Sequence, residues 1–198
     1  MKGYDLLTII NLSLSFIYTK VFFKNCRIIR LPIVIRNKSQ IVFGDRFVTG
    51  KYCRIDAFSQ KNKKIINIGK NCQINDSVHI AALNNITIGD NVLIASRVFM
   101  TDHNHGIYTG DNQSDPKSVV GNRDLSSKPI IIKDNVWIGE NVTILPGSII
   151  GKNTIVGSNS VVSGVLIDNA IYIGVPAKIF KKYDPIEKKM GQSIDIYY

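Results

Sequence analysis

Residues 132–162 read IKDNVWIGENVTILPGSIIGKNTIVGSNSVV, and an aliphatic residue stands at every sixth position of this stretch. The position after it is often glycine. A six-residue period cannot keep one face of an α-helix apolar, because 3.6 residues per turn would scatter these positions around the cylinder. It suits a short strand followed by a corner. Three such units would close a triangular coil of about eighteen residues, stacked on the next coil at roughly 4.8 Å.

The same period is present upstream of this stretch. Its aliphatic positions are Ile68, Ile74 and Ile80, then Ile88, Ile94 and Met100, with a weaker echo at Phe43, Thr49 and Ile55. The frame breaks at QKNKK (60–64), near residues 85–87 and over the polar segment 106–129. A β-sandwich would alternate with a period of two and would not hold this frame. We therefore predict an all-β fold, a parallel β-helix with a long loop at 106–129, and loops of this length are usually functional.

Composition sets further limits. The chain has 198 residues, is 44% hydrophobic and carries a net charge of +10, so it can bury a core and should attract polyanions such as nucleic acid, anionic membranes, phosphate-rich cofactors or acidic glycans. Its three cysteines are too few for a disulfide framework and lack the CxxC spacing of a zinc site, so a reducing compartment is expected. The apolar N-terminal stretch is interrupted by polar residues, and we predict neither a secretory signal nor a membrane span.

Three segments together resemble the hexapeptide-repeat acetyltransferases, especially the O-acetyltransferases of bacterial surface polysaccharides. They are IGDNVLIASRVFMTDHNHG (88–106), KPIIIKDNVWIGENVTILPGSIIGKNTIVGSNSVV (128–162) and IGVPAKIF (173–180). The resemblance covers about residues 41–182. It implies a left-handed parallel β-helix, acetyl-CoA as donor, and a homotrimer with sites between subunits. The expected organisation is a helical, basic segment at 1–40, a β-helix at 41–180 with acceptor loop 106–129, and a tail at 181–198.

The segment VFMTDHNHGIYTG (98–110) holds two of the three histidines. A sugar hydroxyl needs a base to become a good nucleophile, and histidine, with an ordinary pKa near 6.5, suits that task. By resemblance, His105 is the catalytic base. His103 is either a loop residue with no direct role, or it contacts the acceptor or orients its neighbour. The γ-class carbonic anhydrases share the β-helix and bind zinc through three histidines, here His79, His103 and His105. Their ligand spacing differs, and we expect no metal.

The resemblance also suggests residues for the two substrates. On the donor side these are Trp137, Ser158, Ser163, Ala177 and Lys178, with Lys181 and Lys182 as further candidates for the phosphates of CoA. On the acceptor side the resemblance suggests Asn75. His103 is a further candidate, and Tyr108, Asp111, Asp115 and Arg123 of the long loop could line the sugar site. Each residue could also have only a structural role, for example Trp137 as a half-buried coil residue and Asn75 as a corner residue.

The N-terminal segment predicts a helix. Its apolar residues are spaced by three and four and form one face, which comprises Leu7, Ile10, Leu14, Ile17 and Val21. Basic residues follow up to Lys38, so residues 5–38 could lie on the inner face of the cell membrane. Packing on the end of the β-helix or on a neighbouring subunit is the alternative.

We therefore expect a cytoplasmic enzyme, an acetyl-CoA-dependent O-acetyltransferase acting on a sugar hydroxyl of a capsule, O-antigen or similar polysaccharide, or on its precursor. N-acetylation of an amino sugar or sugar nucleotide is the alternative, although no GxGxxG motif marks a nucleotide-binding domain. A nucleic-acid-binding or scaffold protein would use the +10 charge, but no nucleic-acid motif supports it, and we predict no nucleic-acid partner.

Overall fold

The structure, a computed structural model, describes residues 5–191. From residue 33 onward the chain winds through three parallel sheets in a fixed order. Sheet 1 comprises Ile33–Arg36, Cys53–Ala57, His79–Ala82, Phe99–Thr101, Thr143–Ile144 and Val161–Val162. Sheet 2 comprises Ile41–Phe43, Ile66–Ile68, Ile86–Ile88, Ile130–Ile132, Ile149–Ile150 and Val165–Leu166. Sheet 3 comprises Val48–Thr49, Gln73–Ile74, Leu93–Ile94, Trp137–Ile138, Ile155–Val156 and Ala170–Ile173. Two further strands, Lys178–Asp184 and Lys189–Met190, extend sheet 3 by antiparallel pairing after Ala170–Ile173.

The interior is filled by the residues on the six-residue period. All twelve aliphatic positions predicted to point inward are buried, each with at most 3% of its surface exposed. They stack in register, as Ile80, Met100 and Ile144 do in sheet 1. The weaker upstream echo belongs to the same ladders, since Ile55 pairs with Ile80. The prediction of an all-β, left-handed parallel β-helix of hexapeptide repeats is confirmed.

Asparagines form the corners between sheets 2 and 3. Asn153 adopts a φ of +58°, a left-handed conformation that asparagine tolerates better than most residues. Its side-chain amide donates to the Asn169 carbonyl oxygen at 2.8 Å and its own oxygen accepts from Asn135 at 3.1 Å. These hydrogen bonds join the side-chain amides of successive coils into a ladder along the corner.

The predicted N-terminal helix spans Leu6–Phe22 and starts at Asp5, whose side chain accepts the Thr8 N–H at 2.6 Å. It docks through hydroxyl groups: Thr19 Oγ1 accepts the Ile29 N–H at 2.8 Å, and Ser15 Oγ accepts the Leu31 N–H at 3.0 Å. The apolar face instead points away from the β-helix, with Leu14 53% and Ile17 60% exposed. Among residues 5–191, no helix combines the length and apolarity needed to cross a bilayer.

Three irregular segments project from one corner, between sheets 1 and 2. They follow successive strands of sheet 1 and comprise residues 58–65, 83–85 and 102–129. The last contains a two-stranded antiparallel ribbon of His103–His105 and Leu125–Ser127 and the short 3₁₀ helix Val120–Asn122. A second short 3₁₀ helix, Lys38–Gln40, lies on the same corner in the first coil. The domain boundaries expected at residues 40 and 180 stay predictions, and residues 192–198 of the expected tail lie outside the described range.

Candidate active site

Both histidines of the quoted motif lie in the ribbon that opens the long loop. His103 pairs with Ser127 and His105 with Leu125. Strand pairing of this kind fixes the backbone on both sides of the pair, so the base of the loop is ordered by hydrogen bonds. The sheet 1–2 corner therefore presents the two imidazoles on a defined platform.

His103 has a buried carboxylate partner. Its Nδ1 lies 3.0 Å from Oδ1 of Asp102, whose side chain has no exposed surface, and 3.1 Å from the hydroxyl of Thr101. An ionised carboxylate only accepts hydrogen bonds, so this contact favours the tautomer with hydrogen on Nδ1 and leaves Nε2 as an acceptor. The His103 side chain is 15% exposed, and Nε2 is its potential proton acceptor.

Asp102 also holds the neighbouring coil. Its two carboxylate oxygens accept the backbone N–H groups of Leu83, Asn84 and Asn85 at 2.7–2.8 Å. Hydrogen bonds from three amides compensate the burial of a charge that would otherwise be costly. The same side chain thus fixes a turn of one coil and the imidazole of the next.

His105 is exposed, and its ring makes no hydrogen bond within residues 5–191. Its backbone carbonyl accepts the Tyr108 hydroxyl at 2.5 Å, and that hydroxyl accepts from Nη1 of Arg123 at 2.9 Å. Arg123 also donates to the Pro116 and Ser118 carbonyls, each at 2.9 Å. The loop is cross-linked around His105 while the imidazole stays available to a substrate.

A small cavity of about 160 Å³ lies beside this ribbon. Tyr108, Asn104 and Ser126 line part of it. Asp111, also predicted to bind the acceptor, is exposed further along the loop and does not line the cavity. The structure therefore brings Tyr108 close to the histidines and leaves Asp111 apart.

The predicted donor residues are divided between two corners. Ser163 follows a strand of sheet 1 and lies on the same corner as the histidines, but two coils later in the chain. Ser158 lies on the corner between sheets 3 and 1, where its Oγ accepts the Glu140 N–H at 3.1 Å. Trp137 projects from sheet 3, 50% exposed.

Two further donor candidates lie near the end of the coil. Ala177 donates its N–H to Val161 O at 2.8 Å, and Lys178 opens the antiparallel strand, exposed. Asn75, the predicted acceptor residue, lies on the sheet 3–1 corner, where its side chain accepts from Gln73. Within one chain, His105 is thus on a different corner from Trp137, Ser158 and Asn75.

His79, the third member of the metal alternative, lies on the outer face of sheet 1. Its Nε2 is 3.4 Å from the buried carboxylate of Asp56, and its ring packs at 5.3 Å from that of Phe99. Burial lowers the pKa of His79, and the hydrogen bond with Asp56 opposes this effect. Across residues 5–191, no three His, Cys, Asp or Glu side chains cluster closely enough to hold a metal ion.

The cysteines are internal. Burial raises the pKa of Cys53 to about 11, and that of Cys26 to about 11, which keeps both thiols protonated at neutral pH.

The residue of the candidate site that the sequence did not reveal is Asp102. The available signal was an acidic residue directly before a histidine, but the three amides it binds lie 17 to 19 residues away and cannot be read from the sequence.

Comparisons with known proteins agree with this fold. Residues 129–164 match the family described as Bacterial transferase hexapeptide (six repeats). Over 184 residues, covering 92% of each protein, the chain is 48% identical to WbbJ of Escherichia coli (strain K12), provisionally named a lipopolysaccharide biosynthesis O-acetyl transferase. It is 34% identical over 123 residues to the galactoside O-acetyltransferase of the same strain, covering 62% of this chain and 57% of that protein.

Solved structures share the fold. A maltose O-acetyltransferase from Clostridium difficile 630 superposes with a TM-score of 0.60 at 24% identity, covering 91% of this chain and 90% of that one. A mutant of AntD, an N-acyltransferase from Bacillus cereus, superposes with a TM-score of 0.66 at 24% identity, covering 86% and 89%. The long match to WbbJ and the hexapeptide coil together show that the chain belongs to the hexapeptide-repeat acetyltransferases and is an acyltransferase.

Proposed function

We propose that this acyltransferase moves the acetyl group of acetyl-CoA onto a sugar hydroxyl of a bacterial surface polysaccharide, such as a capsule or O-antigen, or of its precursor. The observation that carries the proposal is the 48% identity to an O-acetyl transferase named for lipopolysaccharide biosynthesis, over 92% of both chains. AntD has been crystallised with coenzyme A, which supports a CoA thioester as donor.

In the proposed mechanism, His105 takes the proton of the acceptor hydroxyl as its oxygen attacks the thioester carbonyl. A carbon–oxygen bond forms, the carbon–sulfur bond then breaks, and the proton passes from the imidazolium to the departing sulfur. The free ring of His105 supports this role. His103, held by Asp102 with Nε2 available, would accept a hydrogen bond from a second acceptor hydroxyl.

The proposed site lies between two subunits of a homotrimer. This arrangement is supported by the division of the predicted residues between corners, because a second chain could bring Trp137, Ser158 and Asn75 beside His105. The half-exposed Trp137 also supports it, since a large apolar surface on a lone chain often marks an interface. Ala177, Lys178 and Ser163 would then hold the donor along the later coils.

We further propose that the N-terminal helix rests on the inner surface of the cell membrane, which makes the enzyme cytoplasmic and peripheral. Its apolar face is exposed from Leu7 to Val21, and Lys20, Lys24 and Arg27 follow it. An apolar stripe with basic flanks is the chemistry that binds an anionic lipid surface. A lipid-linked glycan would be presented at that surface.

Acetyl transfer from acetyl-CoA over a panel of sugars tests the function. The expected result is release of the CoA thiol together with an acetylated sugar. Mild alkali should remove its acetyl group, because that group is held as an ester. An alkali-stable amide formed on amino sugars would instead favour the N-acetyltransferase alternative. Absence of transfer to every acceptor, with the protein folded, would count against both.

A further inference from the structure

A second, larger cavity of about 340 Å³ lies on the same corner as the histidines. It is lined by residues of the 58–65 segment, including Lys61 and Lys63, by Leu83 and Asn84 of the next coil, and by Ser127 of the ribbon. Of the residues that the structure describes, no aspartate or glutamate lines it. The cavity thus spans three successive coils and ends at the strand that pairs with His103.

Buried contacts fix one wall of this cavity. Gln40 is 6% exposed, and its side chain binds both backbone groups of Ser59: Nε2 donates to the carbonyl at 2.9 Å, and Oε1 accepts the N–H at 2.7 Å. A buried amide with both its donor and its acceptor paired to one residue holds that residue tightly. The segment carrying the two lysines is therefore anchored at its base.

The opposite walls are tied to the proposed active site. Leu83 and Asn84 donate their N–H groups to Asp102, and Ser127 pairs with His103. The cavity and His103 consequently share their supporting backbone. Ser127 joins the two places, so an acceptor with one hydroxyl at the histidines would extend past Ser127 into this cavity.

Within residues 5–191, no ion pair compensates the charges of Lys61 and Lys63 at this cavity. Two cations on one cavity with no facing carboxylate produce a positive potential that an anion relieves. Lys64 adjoins them in sequence.

We infer that this cavity binds an anionic group of the acceptor, a carboxylate or a phosphate, beside the hydroxyl that is acetylated. This inference rests on the proposed function and narrows its acceptor to acidic glycans or sugar phosphates. Lys61 and Lys63 supply the charge. The side-chain amide of Asn84 and the hydroxyl of Ser127 supply neutral hydrogen bonds. The carboxylate would come from a uronic acid, and the phosphate from a phosphorylated or lipid-diphosphate-linked sugar.

The test uses the full chain and saturation-transfer NMR with three probes: glucose, glucuronic acid and glucose 1-phosphate. The double variant Lys61→Gln/Lys63→Gln removes the two cations. Its matched control, Lys70→Gln/Lys188→Gln, removes two exposed lysines that are also absent from the ion pairs of residues 5–191. Both double variants change the net charge equally.

We expect wild type and control to bind at least one anionic probe about tenfold more tightly than glucose, and the Lys61/Lys63 variant to lose that preference. The anionic probe that wild type prefers identifies the source of the charge. Equal binding of all three probes by wild type, or a preference that survives in the Lys61/Lys63 variant, would overturn the inference. A rise in the KM for acetyl-CoA in the Lys61/Lys63 variant, with binding of the sugar probes unchanged, would also overturn it, because the lysines would then serve the donor. Failure of the proposed function is distinguishable, because it appears as absent acetyl transfer whatever the binding result.

Discussion

The carboxylate of Asp102 contacts Nδ1 of His103 at 3.0 Å while it binds the amides of the turn one coil below. This single side chain has no exposed surface and joins the sheet 1–2 corner to the loop that carries both histidines. Because it serves both the fold and the site, its removal should affect stability and activity together.

We expect Asp102→Asn to lower the free energy of unfolding by about 3 kcal/mol, within the range for breaking a buried charged network. The amide nitrogen introduced would face backbone donors and leave at least one of them unpaired. Urea unfolding monitored by Trp137 fluorescence measures the change. Asp111→Asn, on an exposed loop position, is the control and should stay within about 0.5 kcal/mol of wild type. Equal stability of the two variants would contradict the role of Asp102.

His105→Ala should lower acetyl transfer by roughly two to four orders of magnitude, the usual contribution of an acid–base group. Its ring makes no hydrogen bond in the described residues, so the melting temperature and CoA binding should be unchanged. His103→Ala is the paired variant, and we expect it to raise the KM for the acceptor more than it lowers kcat. The reverse pattern, with His103→Ala abolishing turnover and His105→Ala nearly normal, would move the base to the histidine that Asp102 holds.

The coil could be predicted because its signal is local and repeated. Ile138, Ile144 and Ile150 each occupy the same position of a hexapeptide, and a period of six admits few folds. The loop at 106–129 was visible as an interruption of that frame. The histidines were also visible in the sequence, since they lie three and five residues after Met100, the last in-frame residue before the loop.

The orientation of the helix could not be predicted in the same way. Periodicity identifies its apolar face but not the partner, and the structure docks the opposite side through Ser15 and Thr19. Those hydroxyls satisfy amides of Leu31 and Ile29 that no sheet partner reaches. Such contacts depend on which backbone groups the fold leaves unpaired, and only the folded chain reveals them.

Asn153→Ala should destabilise the fold by about 1–2 kcal/mol, because alanine pays the cost of a left-handed conformation and the side-chain ladder is lost. Asn153→Gly removes the same hydrogen bonds but tolerates a φ of +58°. We therefore expect the glycine variant to be the more stable of the two by thermal unfolding. If both variants lose the same stability, the ladder and not the backbone conformation dominates at this corner.

Burial lowers the pKa of His79 below its ordinary value of 6.5. The folded chain then binds fewer protons than the unfolded chain, so this residue makes stability fall as the pH drops from 6.5 towards the folded pKa. His79→Gln should flatten the dependence in that window. Urea midpoints at pH 7.5 and 5.5 measure it, with His105→Gln as the exposed control. An unchanged pH dependence in His79→Gln would show that this site does not contribute.

Leu14→Glu/Ile17→Glu should abolish binding of the full chain to vesicles containing anionic lipid, because it places two charges on the exposed face of the helix. Each apolar side chain buried in the lipid interface contributes about 1.5–3 kcal/mol to the free energy of membrane binding. We therefore expect the fraction of protein that floats with the vesicles to fall more than tenfold. Ile186→Glu is the control, since Ile186 is 88% exposed near the other end of the chain. Light scattering on the same samples gives the mass of the assembly. A double variant that floats like wild type would exclude the membrane as the partner of this face, and a reduced mass with flotation unchanged would assign the face to a neighbouring subunit.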